Sequence, residues 1–261
     1  MSLYYSKDGI VILHGDCREV LPQIEQVDHV ITDPPYSADV YYRANGHNTK
    51  NGSRTPDRLY KGDSLAKLAA GDIGDAEALR EPVSAEIGRL IRRWGLVFSD
   101  VETCHIWRQQ LELSGLRYVR SGAWIRPDGM PQMSGDRPAV GFEPCTIVHA
   151  QGPMRWNGGG HAAVWVHKIS KGAERPEHPC PKPIALMREL VLLFTDPGET
   201  ILDPFMGSGT TLVAAKQLGR QAIGIEIEEK YCRIAVERLE ATTPPLALEY
   251  DPESYAQEAL L

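Results

Sequence analysis

The chain has 261 residues, 42% apolar and 24% charged, which allows one or two domains with a sizeable core and excludes a disulfide-stapled miniprotein. Lys and Arg number 28 against 35 Asp and Glu, so the net charge of -7 excludes holding a polyanion by bulk charge but leaves room for a local basic face. The apolar runs fall far short of a membrane span, the N-terminus lacks a basic-then-apolar leader pattern, and five scattered Cys with no C-x-x-C pair read as reduced thiols of a cytoplasmic protein.

Short apolar runs alternate with stretches of helical period, which predicts an α/β fold with a mostly parallel sheet and helices on both faces. In chain order, strands are predicted at Val11–His14 and His29–Thr32. The second runs straight into Asp33-Pro34-Pro35-Tyr36. Residues 38–62 break the alternation: Arg43, Lys50, Arg54, Arg58 and Lys61 stand against only Asp39 and Asp57, with Tyr41, Tyr42 and Tyr60 among them. A loop of that length inside a domain is usually functional or disordered. Ile87, Leu90, Ile91 and Trp94 then fall at helical spacing, and Trp94 and Trp107 are assigned to helix faces packed in the core.

Strands follow at Gly95–Phe98, Ala123–Ile125 and Cys145–Val148. Residues 151–177 form a second polar stretch, with Arg155, Lys168, Lys171 and Arg175 beside Trp156 and Trp165. Leu186, Met187, Leu190, Val191 and Phe194 line a helix that opens near Pro183. Thr200–Leu202 is a strand, Thr211–Leu218 a helix stopped at Gly219, Ala222–Ile225 a strand, and Tyr231, Ile234, Ala235 and Leu239 mark the last helix. Residues 1–245 are thus expected to form one domain, and 246–261, acidic and without Lys or Arg, a flexible tail.

Two strand ends carry chemistry. At Asp33-Pro34-Pro35-Tyr36 the prolines remove donors and fix φ, so a carboxylate, free carbonyls and an aromatic ring leave the sheet stiffly. In open α/β sheets, ligands bind at such carboxyl ends. Taken alone, the tetrapeptide also fits a proline-rich turn with an Asx cap. The second site is Asp203-Pro204-Phe205-Met206-Gly207-Ser208-Gly209-Thr210, a glycine turn between strand and helix. Its glycines admit a ligand close to the backbone, and the helix start offers N–H groups. Glu226 ends the next strand 19 residues after Gly207, where a ribose-binding βαβ unit places an acid. With no Lys after Gly209, the turn is not a phosphate-cradling P-loop. Asp203 at the mouth of the turn would repel a pyrophosphate and welcome a cation, which suits a nucleoside bearing positive charge, such as S-adenosylmethionine. His161, His167, His178 and Cys180 match no zinc spacing, so no metal is expected.

These residues resemble the amino-directed DNA methyltransferases that modify adenine N6 or cytosine N4. Asp33-Pro34-Pro35-Tyr36 is similar to their catalytic motif, and the stretch from Asp203 to Thr210 to their cofactor loop. His178-Pro179-Cys180-Pro181-Lys182-Pro183 resembles a third element beside the methionine part of the cofactor. Catalytic motif first and cofactor loop last is the permuted order of the β class. Gly15-Asp16-Cys17 after the first strand resembles that class too, with Asp16 facing the cofactor adenine.

The resemblance implies a Rossmann-like methyltransferase fold and transfer of a methyl group from S-adenosylmethionine, which leaves as S-adenosylhomocysteine. The acceptor it implies is a base flipped out of double-stranded DNA, since the amine is out of reach inside the duplex. In that scheme Asp33 and the Pro34 carbonyl accept the amine N–H groups, Pro35 stiffens the exit, and Tyr36 stacks on the base. Tyr41, Arg43, Lys50, Arg54, Arg58, Arg155, Lys168 and Lys171 are the candidates for gripping DNA. The first residue of the motif leans to adenine N6, with cytosine N4 as the alternative. A catalytically silent DNA- or cofactor-binding regulator is a further alternative, as is an enzyme acting on RNA or protein, which Asp33 in place of Asn argues against. The further partners the resemblance implies for this chain are a second copy of itself and a cognate restriction endonuclease, in a bacterial or phage setting.

Overall fold

The computed structural model of the chain describes residues 1–36, 76–129, 135–136, 138–169 and 181–243. The first half holds strands β1 (Ser2–Lys7), β2 (Ile10–His14), β3 (His29–Thr32), β4 (Trp94–Phe98) and β5 (Arg117–Ile125), with helices α1 (Cys17–Val20), α2 (Ala76–Leu90) and α3 (Cys104–Leu113). The second half holds β6 (Phe142–His149), β7 (Val164–Val166), β8 (Thr200–Asp203) and β9 (Gln221–Glu226), with α4 (Ile184–Phe194), α5 (Thr210–Gln217) and α6 (Glu229–Glu240). The nine strands form one sheet in the order β1-β2-β9-β8-β3-β4-β6-β5-β7.

The run from β2 to β4 is parallel throughout. Near one margin β6 runs antiparallel between β4 and β5, and β7 then pairs parallel with β5. At the other margin β1 pairs antiparallel with β2 across Asp8-Gly9, both at positive φ (53° and 76°). Two such residues suit the twist of a tight hairpin.

Side chains alternate between the two faces of the sheet, as the period of a strand requires. Ile12, Ile31, Leu96, Phe98, Ile147 and Ile201 pack with α4, α5 and α6 on one face. Leu13, Val30, Val97, Val148 and Leu202 pack with α1, α2 and α3 on the other. Because both faces are covered, these strands read as apolar runs rather than as an apolar-polar alternation. Helix α4 starts at Pro183, whose missing N–H costs nothing at a helix entry, and nearly every side chain from Leu186 to Phe194 is buried.

Two expectations change. Trp94 is buried but opens β4 rather than closing a helix, because α2 ends at Leu90. Within the polar stretch expected to grip DNA, of which residues 151–169 are described, Trp165 is 1% exposed within β7 and Trp156 packs edge-on against Phe194 at 4.8 Å, so both rings serve the core. The predicted tail 246–261 lies outside the described residues.

Candidate active site

The chain leaves β3 toward α2 and β4 on one side, and leaves β8 toward α5 and β9 on the other. Neighbouring parallel strands whose connections diverge leave a crevice at their carboxyl ends. Both predicted sites open there. The Thr32 hydroxyl donates to Asp203 Oδ1 at 2.7 Å, tying the tip of β3 to the tip of β8. Met206 N–H reaches Ile225 O at 3.1 Å and Gly15 N–H reaches Glu226 O at 2.9 Å, so the tips of β9 and β2 join the same edge. Among the exposed large apolar side chains, Val101, Val140, Phe142 and Ile227 flank strand ends on this edge.

Asp33 is half-buried and sits among charged groups. Its Oδ1 accepts from the Tyr36 hydroxyl at 3.0 Å, and its Oδ2 accepts from the Lys182 ammonium. Lys182 also lies 3.0 Å from Glu143 Oε2, which is 2.9 Å from the Tyr36 oxygen, so the two carboxylates share the single hydroxyl proton. Arg126 holds the other oxygen, Glu143 Oε1, at 2.8 Å. The ring centres of Phe98, Tyr36 and Trp124 lie 5.1, 5.5 and 5.8 Å from the Lys182 ammonium, a distance at which aromatic faces attract cations.

Burial pushes the Asp33 carboxyl above the ordinary carboxylate range, against the pull of Lys182. Burial would raise Glu143 as well, but Lys182 and Arg126 together hold it below that range. Burial opposes the charge on Lys182, yet its two carboxylate partners hold it firmly protonated. The Tyr36 hydroxyl is driven up by burial and by both carboxylates, so it stays a donor.

At the glycine turn, Gly207 and Gly209 take φ of +51° and +77°. A Cβ on Gly209 would lie 2.8 Å from the Ala235 Cβ, so the turn can run this close to α6 only without a side chain. Gly207 N–H donates to Glu226 Oε2 at 3.0 Å, and Glu228 N–H donates to Glu226 Oε1 at 2.8 Å. Burial pushes Glu226 up to about 7 despite these donors. Val213 N–H is bonded to Gly209 O at 2.9 Å, while the N–H groups of the first helical turn before it have no intrahelical carbonyl to reach.

Several predicted side chains turn away from the crevice. Asp203 is not at an open mouth: it is 3% exposed, Thr211 donates to its Oδ2 at 2.6 Å, and Phe205 N–H reaches its Oδ1 at 3.2 Å. Three donors hold it and burial closes it off, so it fastens strand tips instead of meeting a cation at an open mouth. The Ser208 and Thr210 side chains face Arg238, at 3.1 and 3.0 Å, and Arg238 also donates to the Ser208 carbonyl at 2.6 Å, which leaves backbone N–H groups as what the turn can offer. Asp16 caps α1, accepting Arg18 N–H at 2.9 Å, and Cys17 is buried in the core with its thiol pushed up to about 12 by burial. Pro34 is buried, while Pro35 and Phe205 are half-buried. Lys182, expected beside a cofactor, directs its ammonium at Asp33 and Glu143.

Arg155 lies at the wrong end of the sheet for a DNA grip near Asp33. It is 3.4 Å from Asp196, next to Arg93 and the start of β4, on the amino-terminal edge of the parallel strands. Lys168 follows β7 on the same edge as Asp33. His167 and His161 lie 2.6 and 3.4 Å from the Glu189 carboxylate, and no group of three metal-ligating side chains occurs among the described residues. Tyr41, Arg43, Lys50, Arg54, Arg58, Lys171 and His178 lie outside the described residues. Glu143 and Arg126 are the site residues that the sequence reading missed. Their one visible signal was charge beside a predicted strand, Arg126 just after Ala123–Ile125 and Glu143 two residues before Cys145–Val148.

Comparison with known proteins places these motifs in context. A family model described as DNA methylase matches residues 27–237. Type II methyltransferase M2.DpnII of Streptococcus pneumoniae is 27% identical, with 91% of this chain and 92% of that protein aligned. Type II methyltransferase M2.LlaDCHI of Lactococcus lactis subsp. cremoris is 26% identical, over 90% and 91%. The crystal structure of an M1.HpyAVI–SAM complex superposes with a TM-score of 0.66 at 26% identity, covering 88% of this chain and 98% of that one. The cytosine-N4-specific PvuII DNA methyltransferase shares the fold at 14% identity and a TM-score of 0.60, over 96% and 91% of the two chains.

Proposed function

The chain belongs to the DNA methylase family, and from that premise we propose that it methylates the exocyclic N6 amine of an adenine flipped out of double-stranded DNA. The observation that carries this reading is the Thr32–Asp203 hydrogen bond of 2.7 Å, which joins the strand leading to Asp33 to the strand leading to the glycine turn. An acceptor and a cofactor held at those two tips are side by side, as transfer requires.

The edge of the sheet fits S-adenosylmethionine. Glu226 offers a carboxylate for ribose hydroxyls, Gly207 and Gly209 leave the turn bare of side chains, and the anionic crevice suits a cationic ligand. M1.HpyAVI, similar over most of its length, has been seen with this molecule bound. When bound, it supplies a methyl group on a sulfonium and leaves as S-adenosylhomocysteine.

This chain's residues do the remaining work. Asp33 and the Pro34 carbonyl accept the two amine N–H groups, which localises a lone pair otherwise spread into the ring. As the new N–C bond forms, positive charge grows on the amine and Asp33 balances it. The raised Asp33 carboxyl suits it to take the amine proton afterwards. Tyr36 supplies the ring on which the base stacks, recovering part of the cost of unstacking it.

Residues 1–245 act in this reading as one catalytic domain. DNA is gripped by the basic segment 38–62 and by Lys168 and Lys171, without Arg155. A second copy of the chain and a cognate restriction endonuclease complete the reading, and sedimentation of the purified chain tests the first of these. The direct test is mass spectrometry of nucleosides from duplex DNA incubated with the cofactor and either wild type or Asp33→Ala. N6-methyladenine with wild type, and none with the variant, is expected. Finding only N4-methylcytosine would overturn the adenine assignment.

A further inference from the structure

In the structure both oxygens of Asp33 are already engaged, one by the Tyr36 hydroxyl and one by the Lys182 ammonium. An arriving amine that gains positive charge would meet a fixed cation on its own acceptor. Lys182 cannot retreat into solvent, being only 10% exposed and ringed by Phe98, Tyr36 and Trp124. It does have a second acceptor in place. Glu143 Oε2 lies 3.0 Å from the ammonium and 2.9 Å from the Tyr36 hydroxyl, so one oxygen already touches both groups that occupy Asp33. Arg126 fixes that carboxylate by its other oxygen at 2.8 Å.

We propose that Glu143 is a positioning residue for methyl transfer: it takes over the Lys182 ammonium and the Tyr36 hydroxyl as the target amine reaches Asp33. The proposal rests on the reading of Asp33 as the amine acceptor. Nothing has to travel far, because an ammonium has three donors and need only change which carboxylate it favours. The pair therefore acts as a latch, in which Lys182 keeps the acceptor neutralised while the site is empty and Glu143 holds the cation aside during the reaction. A purely architectural Glu143 would show its effect in stability and binding, whereas the latch shows it in the chemical step.

The test compares Glu143→Gln, Lys182→Met and the double variant in single-turnover methyl transfer, with cofactor and duplex DNA saturating. Extrusion of the base is followed by the fluorescence of 2-aminopurine at the target position. Glu143→Gln is expected to slow transfer roughly a hundredfold, the scale of losing one electrostatic contact made in the transition state. Base extrusion and DNA affinity should stay within about threefold of wild type if the residue acts on the chemical step alone. Removing the latch as well should restore at least about tenfold of the lost rate, since the two residues act as a unit.

Lys182→Met alone takes away the cation that lowers Asp33. At subsaturating DNA, where the empty site titrates, the fall of its rate toward acid pH should then begin at a higher pH than in wild type. This holds the proposal to account even if Glu143→Gln folds poorly. A double variant no faster than Glu143→Gln, a wild-type rate in Glu143→Gln, or an unmoved acid limb in Lys182→Met overturns it. An active wild type with inactive Asp33→Ala and unimpaired Glu143→Gln sinks this inference alone. A wild type that methylates no DNA sinks the reading of the site beneath it.

Discussion

Replacing Asp203 with asparagine should stabilise the protein at pH 8, and the gain should vanish in acid. Burial raises the Asp203 carboxyl from 3.8 to about 6, although the Thr211 and Thr32 hydroxyls and the Phe205 N–H all favour the charged form. A carboxyl whose pKa is higher in the fold than in the unfolded chain holds its proton more tightly when folded. Its favourable contribution is complete below about 4 and is lost as the pH rises through about 6. At 1.36 kcal/mol per pH unit, the charged form costs the fold about 3 kcal/mol at pH 8. With 3% of the residue exposed, solvent does little to reduce that figure. Asparagine removes the charge and keeps the bonds: its oxygen accepts from Thr32 and Phe205, and its amide donates to the Thr211 oxygen. Urea unfolding at pH 8 should therefore find Asp203→Asn more stable than wild type by up to about 3 kcal/mol. The two curves should converge near pH 4. A variant that is less stable at pH 8, or whose advantage is the same at both pH values, would show that charge burial does not govern this position.

Three further outcomes are expected. Tyr36→Ala should lower the methyl-transfer rate by roughly 5- to 100-fold, the loss of about 1–3 kcal/mol of base stacking, while Tyr36→Phe keeps most of it; single-turnover assays on one duplex would show this. Cofactor affinity measured by calorimetry should weaken as the pH falls through about 7, where Glu226 takes up a proton and stops accepting from hydroxyls, and Glu226→Gln should flatten that dependence. Gly209→Ala should cost about 1–3 kcal/mol in urea unfolding, because the new Cβ combines a φ of +77° with a 2.8 Å approach to Ala235.

The strand ends were legible in the sequence because their signals are local. A short apolar run followed by Asp-Pro-Pro, or by alternating glycines and a helix start, states where a strand stops and which atoms it presents. What the sequence could not show is what the sheet order decides. Glu143 is 107 residues from Tyr36, and the two meet because β6 inserts beside β4 and starts at the edge where β3 ends. The same antiparallel strand carries the chain back to the opposite edge, which strands Arg155 among Asp196 and its neighbours. Trp156 and Trp165 could not be placed from sequence for another reason. An aromatic that stacks on a base and one that packs on Phe194 have the same composition signature, and only burial separates them. Strand β1 left a fair signal in Asp8-Gly9, but its half-exposed Tyr4 and Tyr5 lack the apolar run that marks a central strand.

The charges at the crevice also bear on how DNA can sit there. Asp33, Glu143, Asp203 and Glu226 bring four carboxylates to one edge, and among the described residues the cations in contact with them are Lys182 and Arg126, both spent on Asp33 and Glu143. Asp203 and Glu226 are compensated by hydroxyls and backbone N–H groups alone, which is why burial raises them to about 6 and about 7. Above about pH 7, where both of these are ionised, the crevice therefore favours a ligand carrying positive charge and disfavours phosphates. A nucleobase, neutral and flat, can enter, while the backbone to which it is attached is repelled from the same opening. On the function proposed above, the sign of the charge would then favour entry of an extruded base over deeper entry of the duplex.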